Sequence, residues 1–208
     1  IQESWNAYVD QVAERFSYQC TIAAGESFRA AGREWQAHAA PGHDMEALAF
    51  FDPAERILIS GDALWENGLG FVWAHETPNP FVAAALAALE TIERLDPRVV
   101  IPGHGEPFED VAGALARARS RLASFAADPR RTARHMMKVM FVFSMLARGG
   151  IAVADVDAYV ARVPCYGDLD GRFLGEGLAG LGTRIVEQLV RAGAMTVADG
   201  FARPTMAR

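Results

Sequence analysis

Two of the five histidines, at positions 38, 43, 75, 104 and 135, sit in unusual surroundings: Pro41-Gly42-His43 and Pro102-Gly103-His104-Gly105. Glycine beside a histidine lets the backbone turn sharply and leaves the ring free to face a cleft. Asp62, in Ser60-Gly61-Asp62, adds one carboxylate to these two imidazoles. Imidazole and carboxylate are ligands that zinc and iron accept, and a catalytic metal keeps coordination positions open for water. The other histidines lack the glycine context. His38 reads as a polar edge or a packed neighbour of the site, His75 as part of a loop able to line a substrate cleft, and His135 as a surface charge partner.

The elements that must position these groups alternate between strand and helix. Residues 4–16 carry apolar side chains at helical spacing, after which the pattern turns to period two. Tyr18 to Ile22 and Glu34 to His38 read as short strands separated by glycine turns at Ala24-Gly25 and Ala31-Gly32. Leu48-Ala49-Phe50-Phe51, a turn at Asp52-Pro53-Ala54-Glu55, and Arg56 to Ser60 make a hairpin whose second arm is apolar enough to be buried, and Asp62 follows it. Asn79-Pro80 opens a helix running to Leu95, because asparagine caps and proline suits the first helical position. Arg98 to Ile101 returns as a buried strand that ends at Gly103-His104. Strand, helix, strand with a loop at each carboxyl end is an α/β arrangement in which such loops carry chemistry.

From Pro107 the pattern is helical: 109–127, then 129–148 with Gly149-Gly150 as the stop, then 153–163. A loop over Pro164 to Gly175, a helix over 176–192 and a hairpin turning at Asp199-Gly200 complete the chain. Three helices followed by a hairpin suggest a winged helix. The charge divides in the same way. Residues 1–110 hold 6 basic and 18 acidic side chains, and 111–208 hold 14 basic and 8 acidic, against a total of −6. Two domains with different surfaces are expected, 1–127 and 128–208.

Arg117, Arg119, Arg121, Arg130, Arg131, Arg134 and Lys138 form a basic stretch able to meet phosphates, but solvated arginines or arginines facing the acidic part are the preferred account. Cys20 and Cys165 lie far apart in no metal-binding pair and read as buried apolar thiols of a reducing, cytoplasmic compartment. The most apolar run, Met136 to Ala147, is too short to span a bilayer and reads as a core helix.

Taken together, Pro-Gly-His at 41–43, Gly-Asp at 61–62 after a buried strand, and Pro-Gly-His-Gly at 102–105 resemble the second half of the metallo-β-lactamase superfamily. The similarity extends to Asp62-Ala63-Leu64-Trp65, to Asn79-Pro80 and to Leu95 through Pro107, and covers residues 15–110. It implies an α/β (α+β) fold: the second half of an αβ/βα sandwich followed by a small helical, winged-helix-like domain. That extension is similar to one carried by the glyoxalase II-like and ribonuclease Z-like branch. By the resemblance His43 would bind a first metal, His104 a second, and Asp62 would bridge them and serve as the catalytic carboxylate. Two divalent metals, zinc by preference, would activate water as hydroxide to hydrolyse a thioester, ester or lactone.

The family's usual His-x-His-x-Asp-His motif is missing from residues 1–42. The chain also begins at Ile1 with no basic-apolar leader, so the start of the gene product is expected upstream, and the chain as given is expected to bind metal weakly and to be inactive. Two alternatives stand beside the hydrolase of a small-molecule ester: a phosphodiesterase or nuclease using the basic half to hold nucleic acid, and a metal-free binding or regulatory module. In the enzyme reading the helical unit narrows access to the cleft. A homodimer covering apolar strand faces is a further expectation, and no membrane association is expected.

Overall fold

The computed structural model describes residues 20–205 of the 208-residue chain, so the helix expected over 4–16 lies outside the described residues. Two compact units emerge, one ending at Thr132 and the other beginning at Ala133.

The first unit is built on a five-stranded sheet in sequence order: β1 (Ser27–Ala30), β2 (Arg33–Ala39), β3 (Leu48–Asp52), β4 (Ile57–Gly61) and β5 (Val99–Pro102). The first four are antiparallel. β4 and β5 are parallel, because the helix α1 (Pro80–Leu95) intervenes between them. Asn79 starts α1: its side-chain oxygen accepts from the N–H groups of Phe81 at 2.9 Å and Val82 at 3.3 Å, and Pro80 follows at the first helical position. Asp96, in the left-handed region, ends it. A second helix, α2 (Val111–Ala127), is capped by Asp110 on Gly113 N–H at 3.0 Å and packs on α1.

Strand register decides which side chains meet these helices. Phe51, Leu58 and Val100 lie opposite one another on β3, β4 and β5, and they join Leu89, Ile92, Leu115, Leu122 and Phe125 in one buried cluster. On the other face Ala37, Phe50, Ile59 and Ile101 form a row across four strands; Ala37 is buried, and Ile101 is 38% exposed. A bulge breaks the β4–β5 register between Ile59 and Gly61, with Gly61 at φ 53°. Such a bulge re-aims the chain at the end of a strand, and the residue after Gly61 is Asp62.

In the first unit the strand expected over Tyr18 to Ile22 does not form across Cys20 to Ile22; the first strand begins at Ser27. The β-propensity of Thr21 and Ile22 finds no ladder partner there, and propensity without pairing is a weak determinant.

The second unit contains α3 from Ala133 onward (the whole helix spans Pro129–Arg148), α4 (Val156–Arg162), α5 (Pro164–Leu169) and α6 (Leu181–Arg191). Its three-stranded sheet has the order β6 (Ile151–Ala152), β8 (Phe201–Pro204), β7 (Met195–Ala198). The Asp199-Gly200 hairpin forms as expected, both residues having positive φ, and β6 adds a third strand to it.

Two sequence expectations change here. The loop over 164–175 is instead α5 followed by a π turn over Asp170–Leu174. Pro164 opens that helix, and burial of Cys165, Tyr166 and Leu169 outweighs the cost of Gly167 and Gly171. Helix α6 starts at 181 rather than 176, because Gly177 and Gly180 have φ of 78° and 66°. Its entry is stabilised by Asp157, whose carboxylate accepts from Thr183 N–H at 3.0 Å and from the Thr183 hydroxyl at 2.8 Å. Cys165 is buried, and burial pushes its thiol up to about 11, which removes it as a nucleophile near neutral pH. Cys20 is exposed, contrary to the expectation of a buried thiol. It lies in a segment without regular structure that gives it no core to enter.

Among the described residues no helix is long and apolar enough to cross a membrane.

Candidate metal centre

The carboxyl ends of β4 and β5 lie side by side, Gly61 opposite Pro102, with Gly103 N–H donating to the Gly61 carbonyl at 2.8 Å. This pairing brings Asp62 and His104 together although 41 residues separate them. Gly103 is required: a Cβ there would lie 2.9 Å from Asp62 Oδ1 and 3.1 Å from the Gly61 backbone. His43 arrives from the loop after β2. Gly42 holds φ 139° against α1, where a Cβ would meet Ala85 Cβ at 2.7 Å.

The three residues singled out in the sequence converge on one carboxylate. His43 Nε2 is 3.4 Å from Asp62 Oδ2, and His104 Nε2 is 3.9 Å from Asp62 Oδ1. Each carboxylate oxygen thus faces a different imidazole. All three side chains are partly open, at 30%, 32% and 48% exposure for His43, Asp62 and His104. Among the described residues, no three His, Cys, Asp or Glu side chains are arranged to hold one ion between them. The arrangement is one imidazole on each side of a shared carboxylate.

The chemistry of the donors fits a divalent cation. His43 Nδ1 is 2.7 Å from the Phe71 carbonyl, and a carbonyl has no proton to give, so Nδ1 carries the hydrogen and donates it. In a neutral ring Nε2 is then left with its lone pair toward Asp62, the tautomer a metal needs, fixed by the kind of outer hydrogen bond that metal-ligating histidines make. Asp62 is oriented in turn by Trp65, whose indole N–H is 3.2 Å from both Asp62 Oδ1 and the Gly61 carbonyl. The Trp65 ring stands edge-on to His104, with centroids 5.1 Å apart.

Aromatic side chains flank the other imidazole. Phe71 lies edge-on to His43 at 4.7 Å and to Trp73 at 5.5 Å, and the Trp73 carbonyl accepts from Asn79 Nδ2 at 3.0 Å. Trp65, Gly70 and Phe71 were not singled out as site residues from sequence. The available signal for Gly70 was its place in Gly68-Leu69-Gly70-Phe71, since glycine permits a close backbone approach. A Cβ on Gly70 would stand 2.7 Å from Asp62 Cβ and 3.1 Å from His43 Cγ.

The remaining candidates lie apart from the three. His38 is on β2, paired with Ala49 and edge-on to Phe51; its Nε2 is buried and lacks a hydrogen-bond partner among the described residues, and burial lowers its pKa. His75 Nδ1–H donates to the Glu76 carbonyl at 3.0 Å and its ring lies near Phe81. His135 is half-buried on α3.

Much of the basic stretch is engaged within its own unit. Arg117 donates to the Glu66 carbonyl at 2.9 Å and pairs with Asp110, Arg119 makes a two-bonded pair with Glu93 at 2.9 and 2.7 Å, and Arg121 donates to the Asn67 carbonyl at 3.0 Å. Arg131 lies 3.7 Å from Asp128, Arg134 pairs with Glu176, and burial together with Arg134 lowers the pKa of Lys138.

Residues 21–104 match the sequence model of the metallo-beta-lactamase superfamily, an interval that contains His43, Asp62 and His104. The chain is 24% identical over 177 residues to the probable metallo-hydrolase YqjP of Bacillus subtilis (strain 168), covering 76% of this chain and 52% of that protein. It therefore spans about half the length of this curated relative. Similar solved structures include a beta-lactamase domain protein from Burkholderia ambifaria (23% identity, 95% of this chain and 56% of that one, TM-score 0.49). Another is a metallo-beta-lactamase family protein from Thermus thermophilus (22% identity, 98% and 64%, TM-score 0.43). The matched interval contains both histidines that meet on Asp62, so the similarity of this chain to the metallo-β-lactamase superfamily covers the candidate centre.

Proposed function

We propose that this chain belongs to a metal-dependent hydrolase of the glyoxalase II-like and ribonuclease Z-like branch, cleaving a thioester, ester or lactone, with residues 1–127 forming the second half of its catalytic domain and 128–208 a winged-helix-like domain. The observation that carries this reading is the division of Asp62 between two imidazoles, with His43 Nδ1 held as a donor by the Phe71 carbonyl. His43 and Asp62 would hold one divalent metal, zinc by preference, and Asp62 and His104 a second, on a cytoplasmic protein. Such a pair, when bound, supplies Lewis acidity to a carbonyl and to water. The chain's own part is to orient the ligands: the Phe71 carbonyl holds the His43 proton on Nδ1, and the Trp65 indole steadies Asp62. Phe71 and Trp73 offer an apolar surface beside His43 suited to an acyl group.

An ester is preferred to a phosphodiester because Arg117, Arg119 and Arg121 are engaged by Glu66, Asp110, Glu93 and Asn67, leaving fewer cations to meet phosphate. Since each metal would have one imidazole and a shared carboxylate among the described residues, weak binding by the chain as given is expected, and a longer form supplying further ligands would bind more strongly. Elemental analysis and an ester, thioester and lactone panel on both forms test this. Metal in the extended protein, lost together with hydrolysis on Asp62→Asn at an unchanged melting temperature, supports the proposal. No metal in either form overturns it and leaves a binding module.

A further inference from the structure

We propose that the loop from Trp65 to Phe71 is a clamp that sets the orientation of both His43 and Asp62, and that Arg117 and Arg121 on α2 hold the clamp in place. Its effect on metal binding rests on the assignment of His43 and Asp62 as ligands; the clamp itself does not.

The loop touches the candidate centre at both of its ends. At the first, the Trp65 indole N–H donates to Asp62 Oδ1 and the Trp65 ring lies against His104. At the second, Gly70 N–H donates to the Asp62 carbonyl at 2.7 Å, and the Phe71 carbonyl accepts from His43 Nδ1. Between them the chain reverses through a pair of hydrogen bonds linking Trp65 and Gly68, at 2.7 and 3.2 Å. The turn has its own outward-facing carbonyls, on Glu66 and Asn67, and these are the acceptors for Arg117 and Arg121.

Arg121 is the closer fit of the two. Its guanidinium lies where a side chain on Gly68 would stand, and partial burial lowers its pKa, so this half-buried cation has exchanged part of its water for a backbone acceptor. A desolvated guanidinium is costly unless its donors are satisfied. Such a cost on a residue that donates to a turn carbonyl makes sense if the position of that turn matters.

The consequence is chemical as well as mechanical. A neutral imidazole carries its proton on one nitrogen or the other, and the partner of that proton decides which. With the loop seated, Nδ1–H is held, and in the neutral ring Nε2 then faces Asp62 as a lone pair. With the loop displaced, the ring is free to protonate Nε2, and a protonated Nε2 cannot ligate. Arg121 is thus a positioning residue, acting on His43 through the backbone of the loop.

The test uses the full chain, metal-free, at pH 8, and reads the histidine tautomer from long-range proton–nitrogen correlation spectra alongside the affinity for Zn2+ alone, measured by chelator competition. Wild type should show His43 protonated at Nδ1 and bare at Nε2. Arg121→Met should convert that signal to a mixture, Arg121→Lys should restore it through its remaining donor, and Gly70→Ala should disturb it directly. Zinc affinity should fall about 10-fold or more in the Met and Ala variants.

Arg121→Met that lowers the melting temperature but leaves the His43 tautomer untouched assigns Arg121 a merely structural role and overturns the proposal. So does a wild-type His43 protonated at Nε2. If wild type shows the expected tautomer and the variants shift it, but no form takes up zinc, the clamp stands and the metal reading of the site fails.

Discussion

At the scale of single residues, His38 differs from the histidines of the candidate centre in what its environment asks of it. His43 has a carbonyl for one nitrogen and a carboxylate for the other, whereas the buried Nε2 of His38 has no hydrogen-bond partner among the described residues. Burial favours the neutral ring and lowers the pKa from 6.5. Below pH 6.5 the unfolded chain takes up a proton that the folded one resists, so stability falls as pH drops from 6.5 through the lower folded value and is fully present above 6.5. His38→Phe removes that component. Urea unfolding between about pH 8 and 5 should show the variant losing less stability on acidification than wild type, and parallel profiles would rule the effect out.

The same scale separates what could be seen in advance at the site. His43, Asp62 and His104 were legible because glycine context and strand ends marked them. The tautomer of His43 was not, since it depends on a carbonyl 28 positions away at Phe71.

At the scale of elements, α1 carries two duties from one cap. Asn79 Oδ1 satisfies the N–H groups of Phe81 and Val82, while Asn79 Nδ2 holds the Trp73 carbonyl in the aromatic segment beside His43. Asn79→Ala should cost about 1 kcal/mol for the lost cap, and more than Asn79→Asp, which keeps the acceptor but not the donor; thermal melts rank the three. The core face of the helix is a stricter requirement. Leu89 is 0% exposed within the cluster that joins α1 to the sheet, and Leu89→Ala should cost about 3 kcal/mol. A loss under about 1 kcal/mol would mean that the helix does not carry the core described here.

Helix starts followed from side-chain chemistry where the cap is local, as at Asn79-Pro80. They did not where the cap comes from elsewhere: α6 begins at Leu181 with Asp157 as its capping acceptor, and no local reading of residues 176–180 reveals that. The third strand of the small sheet was hidden for a similar reason. Ile151 and Ala152 are too few to signal a strand and become one only by pairing with Ala202 and Phe201.

At the scale of the whole molecule, the charge contrast between residues 1–110 and 111–208 left an anionic partner for the basic half as the less favoured reading. The engagement of Arg117, Arg119, Arg121, Arg131 and Arg134 by acidic side chains and backbone carbonyls changes what that contrast means. Fluorescence anisotropy with a labelled single-stranded RNA and DNA at about 50 and 200 mM salt should therefore detect no tight, steeply salt-dependent binding. Affinity falling by orders of magnitude between the two salts would restore the phosphodiester reading.

The sequence by itself marked the candidate residues, because side-chain types and the glycines beside them are local properties, and it determined most strands and helices of residues 27–148, because burial on one face imposes a period on the residues that satisfy it. Only the tertiary structure decided how these side chains meet. Asp62 and His104 meet through a parallel pairing of β4 and β5 that has no local signature. The loop whose Phe71 carbonyl accepts from His43 takes hydrogen bonds from arginines on a helix more than forty residues further along the chain. Hydrogen bonds that span such separations are selected by the packed fold, and a one-dimensional pattern carries no record of them.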